Sequence, residues 1–95
     1  MEQVALKIVE HIKEKYRPVR IYRWGSLVKP EDFQSFSDID IAVEGIEDAA
    51  KWLRVERDVW DLTDFSVDLV QMEHIEPEYA QIIRQKGQVV YERAD

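Results

Sequence analysis

Apolar residues recur three or four positions apart in several stretches, and this spacing predicts helices. In residues 2–16 they mark one face of a helix, with charged residues on the rest of its surface. A second helix is predicted for residues 46–53, with an irregular continuation towards Trp60. Near the end of the chain, Pro77 begins a short helix that Gly87 ends. The pattern therefore predicts three helices.

Between the helices, four short apolar or alternating stretches predict β-strands. They are residues 19–24 after Pro18, residues 37–43, residues 65–71 and residues 89–91. Helices and strands in this order predict an α+β fold. We expect a small mixed sheet of three to four strands, with helices packed mainly on one face and the other face open.

The stretch 37–43 combines this strand pattern with acidic residues. Because side chains alternate along a strand, Asp38 and Asp40 point to one side, while Ile39, Ile41 and Val43 point to the other. Two neighbouring carboxylates repel each other unless a cation lies between them. Beside a phosphate substrate, the cation between two carboxylates is usually a hard ion such as Mg²⁺.

A third carboxylate lies in the next predicted strand, where Asp68 stands between Val67 and Leu69. Alone, Asp68 would be read as a solvent-facing strand residue. Together with Asp38 and Asp40, it completes the ligand set with which two Mg²⁺ ions support phosphoryl or nucleotidyl transfer.

The pair Gly25-Ser26 directly follows the first predicted strand. A helical turn beginning at Ser26 would direct backbone N–H groups and the Ser26 hydroxyl towards an anion, and Gly25 would let phosphate oxygens approach the backbone. Most Gly-Ser pairs are simple turns, so this pair alone does not identify a phosphate site.

Composition limits the possible classes of protein. The 95 residues include no cysteine, which excludes disulfides, zinc–thiolate sites and a thiol nucleophile. We expect a single domain over residues 1–95. No apolar run approaches the roughly 20 residues of a membrane span. We therefore expect a cytoplasmic protein with no membrane contact.

The net charge of −7 is distributed unevenly. Between Lys13 and Lys29 there are six basic residues and one acid, whereas acids predominate from Glu31 onwards. The acidic body argues against a long nucleic acid as the ligand, whereas a small basic region beside paired carboxylates suits a single nucleotide with its metal.

Other conspicuous residues favour structural roles. We expect at least one of Trp24, Trp52 and Trp60 in the core, and the others are candidates for an exposed apolar patch that binds a partner chain. His11 has no second ligand at metal-binding spacing, so we expect a surface or helix-edge histidine. Asp58 is expected to be a surface charge or a helix-end residue.

Three motifs in order resemble the minimal nucleotidyltransferases, small members of the DNA polymerase beta-like superfamily. They are Gly25-Ser26, Asp38-Ile39-Asp40 and Val67-Asp68-Leu69-Val70. A Gly-Ser pair or an Asp-x-Asp alone is unspecific, whereas the ordered triple is specific.

This resemblance implies a role for each residue. Asp38 and Asp40 would hold both Mg²⁺ ions, and Asp68 would complete the metal site and orient or deprotonate the attacking hydroxyl. Gly25 and Ser26 would bind the β- and γ-phosphates of ATP or another nucleoside triphosphate. The implied activity is transfer of AMP to a protein. The implied partner is a HEPN-domain ribonuclease toxin, for which the chain would be the antitoxin.

One segment departs from the family pattern and leaves alternatives open. Residues 27–30 follow the Gly-Ser pair where the family usually has arginine, so Lys29 or Arg23 would supply the phosphate contact. This departure favours an alternative, a binding-only antitoxin of weak or absent catalysis that acts by complex formation. An unrelated acidic interaction domain is the third hypothesis.

Overall fold

A computed structural model of the chain describes residues 2–24 and 39–94. These ranges contain three α-helices, four β-strands and a 3₁₀ turn. In chain order they are α1 (Glu2–Tyr16), β1 (Arg20–Arg23), β2 (Ile39–Glu44), α2 (Ala49–Leu62), β3 (Val67–Gln71), the turn Met72–His74, α3 (Pro77–Lys86) and β4 (Gln88–Glu92). None of the three described helices has the length and apolar character needed to cross a bilayer.

The four strands form one mixed sheet in the order β3-β2-β1-β4. β1 is antiparallel to both β2 and β4, whereas β2 and β3 run parallel. Parallel neighbours need a crossover connection, and α2 provides it. The predicted small mixed sheet is confirmed, and α2 continues as a regular helix to Leu62.

Two of the three helices pack on one face of the sheet, as predicted. Buried residues of α1 and α2, including Ile8, Ile12 and Val55, form a core with the strand residues Ile21 and Ile41. α3 packs on the opposite face, where its residues Ala80 and Ile83 join a second cluster with Tyr22, Ala42 and Met72. The expectation that this second face is open is therefore wrong, because α3 covers part of the face that carries the aspartates.

The turn after β2 requires a glycine. Gly45 has φ +105°, a backbone conformation that side chains rarely adopt. A Cβ at this position would lie 2.5 Å from the backbone nitrogen of Val19, whose N–H donates to the Glu44 carbonyl at 2.8 Å. The close approach of these two segments thus excludes a side chain at Gly45.

Glu44 joins three elements at the end of β2. Its Oε2 accepts hydrogen bonds from Arg84 on α3 at 2.8 and 3.1 Å, and its Oε1 accepts from Arg20 and Tyr22 on β1. Burial opposes ionisation of Glu44, but the hydrogen bonds of Arg84 and Tyr22 outweigh it, and the pKa of the carboxyl is lowered. The ionised form of Glu44 therefore fastens α3 to the sheet.

Asp58 links α1 to α2, so its expected role as a simple surface charge or helix-end residue is wrong. Its Oδ2 accepts hydrogen bonds from His11 Nε2 at 2.8 Å, Tyr16 Oη at 2.7 Å and Lys15 Nζ at 2.9 Å. A carboxylate can only accept, so His11 carries its proton on Nε2. His11 thus has a structural role in this α1–α2 network.

Candidate functional site

Asp40 and Asp68 lie side by side on the α3 face of the sheet. Ile39 and Ile41, which flank Asp40 on β2, are fully buried on the opposite face, and this alternation directs the Asp40 carboxylate away from the core. In the parallel pairing of β2 with β3, Asp40 is in register with Asp68. Neighbouring strands are roughly 5 Å apart, so the two half-buried carboxylates are adjacent.

The remaining predicted site residues lie outside the described part of the chain. These are Gly25, Ser26, Lys29 and Asp38. Trp24 is the last described residue before Gly25. Its backbone N–H donates a hydrogen bond to the Asp40 carbonyl at 3.2 Å. The structure thus brings together two of the three predicted carboxylates and does not test the others.

The donor set fits the predicted metal. Carboxylate oxygens are the hard ligands that Mg²⁺ prefers, and Asp40 and Asp68 present them from adjacent positions on two strands. Within residues 2–24 and 39–94, no group of three or more acidic, histidine or cysteine side chains could hold a metal ion. Asp38, the third predicted ligand, lies outside the described residues.

Two aromatic residues border the aspartates, and the sequence did not indicate their role. The rings of Trp24 and Tyr79 meet edge to face with centroids 6.0 Å apart. Burial, and then the charges of Asp68 and Asp40, raise the pKa of the Tyr79 hydroxyl, so this phenol lies within electrostatic range of both carboxylates. The only sequence signal was the position of Tyr79 in the first turn of α3.

Asp68 lies between two hollows. One, of about 400 Å³, lies towards α3 and is lined by Trp24, Val70 and Tyr79 among others. The second, of about 680 Å³, runs between α2 and β3 and includes Trp60 in its lining. Asp68 belongs to the lining of both hollows.

The expectation that at least one tryptophan lies in the core is confirmed, and only one of the three is exposed. Trp24 and Trp52 are buried, whereas 82% of the Trp60 side chain is exposed. Trp52 shares the buried face of α2 with Val55 and Val59, and Trp60 falls outside that face. Trp60 is therefore available to a ligand or a partner.

Comparison with known proteins agrees with this architecture. The chain matches the family described as polymerase beta, nucleotidyltransferase over residues 6–95. No protein of curated function matches it. Among solved structures, the chain is similar to one in the crystal structure of the toxin–antitoxin MntA–HepT, with TM-score 0.68 and 21% identity, over 97% of this chain and 73% of that chain. At this identity, the similarity concerns the fold.

The family match includes β2 and β3 and therefore both described aspartates. The chain belongs to the polymerase beta nucleotidyltransferase family.

Proposed function

We propose that the chain transfers AMP from ATP, with Mg²⁺, to a hydroxyl group of a partner protein. The observation that carries this proposal is the in-register pair Asp40 and Asp68 on adjacent parallel strands of a polymerase beta nucleotidyltransferase. Because two such carboxylates repel each other, their adjacency supports a site built for cations.

Each residue has a defined task in this reaction. Asp38, Asp40 and Asp68 would hold Mg²⁺, which when bound neutralises charge on the phosphate oxygens. Asp68 orients the acceptor hydroxyl and takes its proton. The hydroxyl oxygen forms a bond to the α-phosphorus of ATP. The bond from that phosphorus to the oxygen bridging it to the β-phosphate breaks, and pyrophosphate leaves.

Gly25, Ser26 and Lys29 complete the proposed site as the contacts to the β- and γ-phosphates. The pair Gly25-Ser26 follows Trp24 in sequence, and the backbone of Trp24 is hydrogen-bonded to that of Asp40. This connection supports a phosphate contact beside the carboxylates, where transfer requires it.

We further propose that the partner is a HEPN-domain ribonuclease toxin and that the chain is its antitoxin. The similar fold in the MntA–HepT toxin–antitoxin structure supports this assignment. The acidic composition, net −7, also favours a protein acceptor over a long nucleic acid.

Intact-mass measurement tests the proposal. The chain is incubated with ATP, Mg²⁺ and a HEPN-domain toxin, and the toxin is expected to gain the mass of one or more AMP groups. The double variant Asp40→Asn/Asp68→Asn should abolish this gain. Asp61→Asn, an exposed aspartate on α2, is the matched control and should leave it unchanged. An unmodified partner with the wild-type chain contradicts AMP transfer.

A binding-only antitoxin is the second candidate. It is favoured by residues 27–30, which lack the arginine usual in the family, and by the exposed Trp60, which suits a protein interface. If the double variant neutralises the toxin in growth assays as well as the wild type does, complex formation alone is the antitoxin mechanism.

A further inference from the structure

The groove between α2 and β3 is the most distinctive surface of the described chain. We name it the α2–β3 groove and define it by Glu56, Trp60, Asp64, Phe65 and Asp68, which belong to its lining. Trp60 is 82% exposed, the highest fraction among the described large apolar side chains, and Phe65 is 43% exposed. Two large aromatic side chains thus stand in solvent in a groove whose lining also includes Asp68.

The charges of the α2–β3 groove have a single sign. Glu56, Asp64 and Asp68 are its charged lining residues, and no lysine, arginine or histidine lines it within residues 2–24 and 39–94. Such a lining repels phosphate groups and attracts cations. The indole face of Trp60 also favours a guanidinium or ammonium group over a neutral one. The complementary ligand is therefore basic.

One side of the groove is formed by an edge strand. In the described sheet β3 is the last strand, and the groove follows its residues Val67, Asp68 and Leu69. An edge strand presents backbone N–H and C=O groups to which an extended peptide can add. A peptide that pairs with β3 would place the side chain paired with Asp68 on the same face of the sheet as the Asp68 carboxylate.

We propose that the α2–β3 groove binds an extended basic segment of the partner protein, and that this segment brings the acceptor hydroxyl to Asp68. Arginine or lysine side chains of the segment pair with Glu56 and Asp64 and stack on Trp60. The inference rests on the proposed function, and it adds the docking surface and the chemistry of the segment that docks.

Titration calorimetry of the full chain with the HEPN-domain protein measures docking without requiring catalysis. Trp60→Ala is expected to weaken binding about 10- to 100-fold, the range typical of a central interface tryptophan. Leu6→Ala, which removes a 60% exposed apolar side chain from α1, is the matched control and should leave the affinity unchanged. Both side chains are exposed, and equal thermal unfolding midpoints show that both variants fold.

Charge reversal tests the basic character of the segment. Glu56→Lys/Asp64→Lys should weaken binding about 10-fold or more, and binding by this variant should lose the salt dependence of the wild type. Unchanged affinity in both Trp60→Ala and the charge-reversal variant overturns the docking proposal.

A parallel titration with ATP and Mg²⁺ distinguishes a nucleotide from a protein in the groove. If Trp60→Ala weakens ATP binding and leaves the partner affinity unchanged, Trp60 contacts the base and the docking proposal is overturned. Competition of an RNA oligonucleotide with the partner for the wild-type groove also overturns it.

The intact-mass assay separates the two proposals. If the wild type binds the partner without adding AMP and Trp60→Ala weakens that binding, the groove is the docking surface and AMP transfer fails. If AMP transfer proceeds with an unchanged KM for the partner in Trp60→Ala, AMP transfer stands and the docking proposal fails. A wild-type chain that neither binds nor modifies the partner overturns both.

Discussion

Replacing Asp58 with asparagine is expected to loosen the contact between α1 and α2. The substitution conserves the shape of the side chain but removes the charge that accepts hydrogen bonds from His11, Tyr16 and Lys15. The donors belong to α1 and the acceptor to α2, so the change acts on the packing of these helices. The candidate site lies on the other face of the sheet and should not be affected directly.

The expected loss of stability follows from the geometry. A hydrogen bond to a charged group contributes about 1.5–3 kcal/mol. Only 21% of the Asp58 side chain and 32% of the His11 side chain are exposed, but water still screens the pair, and the asparagine carbonyl can keep one donor. We therefore expect a loss of about 2 kcal/mol, or a fall in Tm of roughly 8–16 °C for a chain of this size.

The loss of stability caused by Asp58→Asn should depend on pH and should become smaller in acid. Hydrogen bonds from His11, then Tyr16, then Lys15 hold the pKa of the Asp58 carboxyl well below its ordinary value of 3.8. The unfolded chain thus binds more protons than the folded one in acid. The stabilisation is complete above the ordinary pKa and is lost as pH falls through the folded value. The difference between wild type and Asp58→Asn should be constant near neutrality and shrink in acid.

Urea unfolding followed by tryptophan fluorescence, in buffers from about pH 7 to about pH 3, measures this difference. Asp61→Asn removes an equal charge from an exposed position on the same helix and is the control. The reasoning is refuted if Asp58→Asn costs no more than Asp61→Asn near neutrality. It is also refuted if the Asp58→Asn deficit persists undiminished at the acid end.

Two further substitutions test the turn and the cluster at the end of β2. Gly45→Ala should lower the free energy of unfolding by about 2–4 kcal/mol in urea denaturation, because the residue has φ +105° and the new Cβ would meet Val19 at 2.5 Å. If Gly45→Ala loses less free energy of unfolding than an ordinary surface substitution does, the requirement for glycine in this turn is contradicted. Glu44→Gln should cost about 1–2 kcal/mol in the same assay, because it removes the charge that Arg84 binds at 2.8 Å. The exposed Glu47→Gln is its control, and equal losses would count against the role of the ion pair.

Much of the candidate site could be predicted from local pattern. The alternation of Ile39, Asp40 and Ile41 already assigns the carboxylate and the apolar side chains to opposite faces, because a strand has a period of two residues. Asp68 follows the same reasoning on β3. Both ends of α3 could also be predicted. Pro77 suits the first helical position, and the N–H of Gly87 at the end of the helix donates a hydrogen bond to the Ile83 carbonyl.

Pairings between distant segments could not be predicted in this way. Asp58 is 42 to 47 residues from Tyr16, Lys15 and His11, and its own sequence neighbours give no sign of them. The nearness of Tyr79 to the carboxylates depends on where α3 packs across the sheet. Such contacts arise from helix packing, which local periodicity does not encode.

The sequence by itself determined which way the described aspartates, Asp40 and Asp68, point within their own strands. It did so because side-chain direction is a local property of the backbone. Only the tertiary structure decided that Asp40 and Asp68 are in register, because the register of parallel strands is set by the crossover through α2 and by core packing. It likewise decided that Trp52 is buried and Trp60 exposed, because burial depends on which face of α2 meets the sheet.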